Sequence, residues 1–130
     1  MVMAVGETKA EKEPEWSYTP TPLYSQVWTQ ISENGNYMAA STMSCCNPFE
    51  SLSLYSKDSS EPLWTYPSSN TGHNILCRRV VADTCIGISS DGEHILAVES
   101  DPTDNENLLI FSKSSNNPVW SYTANEITSF

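Results

Sequence analysis

The chain has 130 residues, enough for one ordinary domain with one core. Its 38% hydrophobic content is lean for a globular protein and too high for a disordered one. Six basic against sixteen acidic residues leave a formal net charge of −10, which argues against a nucleic-acid partner and against anionic membrane surfaces. Arg78-Arg79 is the only adjacent basic pair, and no run approaches the ~18 apolar residues of a membrane span.

Residues 1–14 are rich in Glu and Lys and read as a solvated tail, with a worn strand at Met3–Glu7 as the alternative. They lack the basic start and long apolar stretch of a signal peptide, so a cytoplasmic address is expected if Met1 is the true start. Glu15–Thr19 alternates Trp16 and Tyr18 with polar residues, the period-2 pattern of a half-buried strand, and Pro20-Thr21-Pro22 ends it.

Val27–Ser32 and Tyr37–Ser41 predict two strands joined by a hairpin at Glu33-Asn34-Gly35-Asn36, where an Asn-Gly pair supplies positive φ angles. A loop is expected at Thr42–Ser51. Two more strands follow within Leu52–Pro67, LSLYSKDSSEPLWTYP. The pattern then returns. Thr84–Ser100 carries the hairpin Ser90-Asp91-Gly92-Glu93, Asp101–Asn107 is a second expected loop, and Leu108–Thr123 nearly copies 52–67. Lys57 and Lys113 are 56 residues apart, as are Trp64 and Trp120, and Gly35 and Gly92 are 57 apart. The sequence thus describes two units of four short antiparallel strands, about 23–66 and 80–123. Partial strands at 15–19 and 127–130 flank them within a repeat region of 15–130. A window cut from a longer array would look like this.

Ser89–Gly92 with Glu93–Val98, and likewise Ile31–Ala40, resemble the first hairpin of WD-type propeller blades. Ser53–Tyr66 and Leu109–Tyr122 resemble blade ends of pyrroloquinoline-quinone-like repeats. The resemblance implies an all-β fold of four-stranded antiparallel β-propeller blades, two complete, in a partial propeller. Tyr55-Ser56 and Phe111-Ser112 stand where WD repeats carry Trp-Asp, and Ser60-Glu61 and Asn116-Asn117 replace the usual Thr-Gly. No cofactor site is carried over, and the fold family hosts scaffolds, sensors and enzymes alike.

A single blade can bury its apolar face only against a neighbour. Trp64 and Trp120, with Tyr66, Tyr122, Ile88 and Ile31, are the residues expected between blades. The outer faces would then take further blades, a protein partner or another copy.

The residues that carry chemistry are sparse. His94 occupies the hairpin position of Tyr37 and reads as a surface residue; His73 lies in a loop with no evident acid or nucleophile beside it. Cys45, Cys46, Cys77 and Cys85 form no C-x-x-C pair. Free buried thiols are expected, with a disulfide through Cys77 or Cys85 as the alternative in an oxidising compartment. Three carboxylates in Asp101–Asn107 offer oxygen ligands for calcium, but not at EF-hand spacing, and read as a solvated loop. No catalytic, cofactor-binding or metal-binding residue is assigned, and the expected role is a non-enzymatic protein-interaction or structural module. Part of a larger propeller enzyme and a secreted calcium-stabilised module are the alternatives.

Overall fold

The computed structural model describes residues 13–18, 25–44, 47–67, 74–75, 86–100 and 105–124. These residues form nine strands and no helix: β1 (Ser25–Ile31), β2 (Tyr37–Ser44), β3 (Asn47–Ser56), β4 (Trp64–Pro67), β5 (Asn74–Ile75), β6 (Ile86–Ile88), β7 (His94–Ser100), β8 (Glu106–Ser112) and β9 (Pro118–Ala124). All pairings are antiparallel. One sheet runs β1-β2-β3-β4; the other runs β7-β8-β9, with β5 and β6 in tandem along the free edge of β7.

Corresponding residues pair in corresponding ways. Met38 faces Tyr55 and Leu54 faces Trp64 in the first sheet. Ile95 faces Phe111 and Ile110 faces Trp120 in the second. The edge strands differ. Trp28 is the one residue between Val27 and Thr29 opposite β2, whereas Ile75 and Ile86 lie two ladder positions apart with 76–85 between them. Those ten residues lie outside the described ones, as do the tail through 12, Thr19, and the expected partial strand at 127–130.

Several boundaries depart from the sequence reading. β2 and β3 run through most of the expected loop Thr42–Ser51, leaving 45–46 between them. The polar run is strand because its hydroxyls pair across the ladder: the Oγ atoms of Thr42 and Ser51 are 2.7 Å apart. β8 likewise begins at Glu106, inside the second expected loop. Of the expected strand Glu15–Thr19, the described residues 15–18 pair with no other strand. Trp16 and Tyr18 are placed by ring packing instead.

The two hairpins share one bonding scheme. In the first, the Gly35 N–H donates to the Ser32 carbonyl at 2.8 Å, Asn34 Oδ1 accepts from the Asn36 N–H at 3.0 Å, and Ser32 Oγ accepts from the Tyr37 N–H at 3.1 Å. In the second, Gly92 bonds to Ser89 at 2.9 Å, Asp91 Oδ1 accepts from Glu93 at 3.0 Å and Ser89 Oγ from His94 at 3.0 Å. The Ser89 hydroxyl, first, and the Glu93 N–H hold the Asp91 carboxyl below its ordinary range. Gly35 and Gly92 sit at φ of +71° and +77°, the left-handed region that glycine enters without strain. Here the positive φ falls on the glycine after Asn34 or Asp91.

The sheets pack face to face. Alternation along β3, β4 and β2 puts Leu52, Leu54, Trp64, Tyr66 and Ala39 on one side of the first sheet. They meet Ile86, Ile95, Ala97, Leu109 and Phe111 of the second, and Leu52, Leu54, Ile95 and Phe111 are all 0% exposed. Ile88 packs at the edge of this core; Ile31 points away from it and is 64% exposed, against expectation, because its neighbours in register put it on the other side of the first sheet.

Candidate interaction surface

The chemistry between the sheets is best described as a seat for an indole. Trp64 Nε1–H donates to the Lys113 carbonyl at 2.9 Å, and its ring lies 5.4 Å from that of Phe111. Tyr66 follows two residues later on the same side of β4, 5.0 Å from Phe111. Its hydroxyl donates to Glu99 Oε1 at 2.9 Å, while Asn107 Nδ2 donates to Oε2 at 3.4 Å. Three further bonds tie the sheets: the Asn34 N–H donates to the Ser90 carbonyl at 3.1 Å, Asn34 Nδ2 to the Asp91 carbonyl at 3.1 Å, and Asn116 Nδ2 to the Thr65 carbonyl at 3.0 Å. The Lys113 ammonium, paired with Glu93, stands 5.1 Å above the Tyr37 ring.

Glu99 was not singled out from the sequence. It is 4% exposed, and the signal was its phase: Ile95, Ala97 and Glu99 share one side of β7, so a carboxylate follows two buried apolar residues. The bonds from Tyr66 and Asn107 offset the cost of burying it. Burial, first, and the Glu99 hydrogen bond push the Tyr66 hydroxyl from 10.0 up to about 12. The fold favours the neutral phenol, so this contribution is complete below the unfolded value and is lost as pH rises through the folded one. With the group partly exposed, solvent screening leaves about 1 kcal/mol. Urea unfolding between pH values of about 9 and about 12 should show wild type losing that much more stability than Tyr66→Phe.

The same seat recurs one sheet earlier. Trp16 Nε1–H donates to the Lys57 carbonyl at 2.9 Å, its ring stacks on Tyr55 at 5.7 Å, and Tyr18 lies 6.2 Å from Tyr55. Tyr55 and Lys57 stand 56 residues before Phe111 and Lys113. Thr42, bonded to Ser51, takes the place that Glu99 has in the second sheet.

A third tryptophan of the series has no seat. Trp120 and Tyr122 stack on one another at 6.3 Å and are 47% and 58% exposed. Expected between sheets, they lie instead on the outer side of the second sheet, since no further sheet follows β9 among the described residues. Leu96 and Ile110 share that side, where a shallow groove of about 300 Å³ is lined by Gly87, Ile88, Ser89, His94, Leu96 and Ile110.

His94 is an exposed residue on the rim of this groove, in agreement with its hairpin position. His73, the four cysteines and 101–104 of the acidic loop lie outside the described residues. Among the described residues no three His, Cys, Asp or Glu side chains are grouped to hold a metal ion. Comparison with protein-family models, with curated proteins and with solved structures finds no match for this chain.

Proposed function

We propose that the chain is a non-enzymatic β-propeller repeat segment that works as a protein-interaction or structural module, with the Trp120 side of the second sheet as its contact surface. The observation that carries this reading is the twice-used seat. Trp16 and Trp64 each rest on an aromatic ring and donate to the carbonyl of the lysine two residues beyond it, while Trp120 presents the same groups to solvent. Sheets that pack through one face at a time leave such a face at each end of a stack. Exposed aromatics beside an apolar groove are the composition of an interface centre.

The test is a photo-crosslinking amino acid placed at position 122 in the protein expressed in its own cells. A protein product from position 122 is expected. The absence of any protein product from position 122, in a chain that still melts cooperatively, would overturn the reading.

A further inference from the structure

We infer that the occupant of the Trp120 side is a second copy of this chain, whose Tyr55–Lys57 seat exchanges its own Trp16 and Tyr18 for the partner's Trp120 and Tyr122. The inference rests on the interaction-module reading above and adds the identity of the partner.

Both halves of the joint are present on one molecule. Trp120 matches Trp64 in register, each facing the equivalent residue of the preceding strand, Ile110 or Leu54. Tyr55 matches Phe111 in the same way, facing Met38 where Phe111 faces Ile95. The Lys57 carbonyl already accepts from an indole at the distance seen at Lys113, so the seat is built for this group. Exchange therefore replaces like with like: one N–H···O bond and two ring contacts to Tyr55 are broken and their equivalents are formed.

The two competitors are held differently. Trp16 belongs to 13–18, which pairs with no strand, whereas Trp120 stands on the seven-residue β9 in a full sheet. A docking sheet brings Tyr122, Leu96 and Ile110 with Trp120. The side of the first sheet that receives them carries Val27 and Ile31, 40% and 64% exposed. Covering those residues adds apolar burial that Trp16 and Tyr18 alone do not provide. The contact is head-to-tail, so copies add in series unless the rotation closes a ring. The net charge of −10 on each copy opposes it, and salt relieves that opposition.

Sedimentation of the full chain over a concentration series, at low salt and at about 1 M salt where the Debye length is about 3 Å, reads this directly. Association that strengthens with salt is expected for wild type. Trp16→Ser with Tyr18→Ser removes the competitor and should associate at roughly tenfold lower concentration, and Trp120→Ser with Tyr122→Ser should be monomeric. The quadruple variant separates exchange from mere exposure of apolar surface, because it should also be monomeric. Wild type and the Trp16/Tyr18 variant both staying monomeric would overturn the inference, as would a quadruple variant that associates like the Trp16/Tyr18 one. A chain that is monomeric here, yet crosslinks to another protein from position 122, keeps the interaction-module reading and loses this one.

Discussion

Trp64→Ala is expected to lower the unfolding free energy by about 3–5 kcal/mol, and Trp120→Ala by less than about 1 kcal/mol. The two residues hold equivalent ladder positions, so their intrinsic strand preferences cancel in the comparison. What differs is the seat. Trp64 is 9% exposed, rests on Phe111 and donates to the Lys113 carbonyl, while Trp120 is 47% exposed and touches Tyr122 on its own strand. Removing the first indole leaves a cavity between the sheets and a carbonyl without its donor. Urea unfolding at low protein concentration, where any association is negligible, measures both. Equal losses for the two variants would mean that the sheets do not depend on this joint.

The second large effect separates two glycines that look alike in the sequence. Both have left-handed φ, so alanine at either position carries backbone strain of about 1–2 kcal/mol. At Gly35 nothing lies within 4 Å of an added Cβ, and the strain is the whole cost. At Gly92 the same atom would stand 2.2 Å from Cδ2 and 2.9 Å from Cγ of Tyr37, a ring already confined beneath Lys113. Gly92→Ala should therefore cost at least about 3 kcal/mol, of which Tyr37→Ala in the same chain recovers part. Thermal melting of Gly35→Ala, Gly92→Ala and Gly92→Ala/Tyr37→Ala decides the matter. Indistinguishable single variants would show that the hairpins are not pressed together at Tyr37.

Hairpin turns and strand order were legible because they rest on local chemistry. Ser-x-Asn-Gly and Ser-x-Asp-Gly dictate a bend through bonds spanning a few residues, and alternation in LSLYS and LLIFS marks two-sided strands. Strand ends were less legible. Thr42 and Ser51 look like loop residues until each is seen opposite the other, since a hydroxyl pair satisfied across a ladder is invisible in either strand alone. The tandem edge β5 and β6 was hidden for a related reason: Asn74-Ile75 is too short to carry a period, and only pairing with Ser100 and Glu99 makes it strand.

By itself, the chain's order of residues determined an all-β build, two successive antiparallel meanders, and turns at Gly35 and Gly92, because each follows from side-chain alternation and short-range bonds. Only the tertiary structure decided which copies of a common motif are buried. Trp16, Trp64 and Trp120 sit in nearly identical local sequences, yet one lies on a strandless segment, one is enclosed, and one faces solvent. Burial is a property of what stands opposite a side chain, and a neighbour that arrives from a distant part of the chain leaves no mark on the residues it covers.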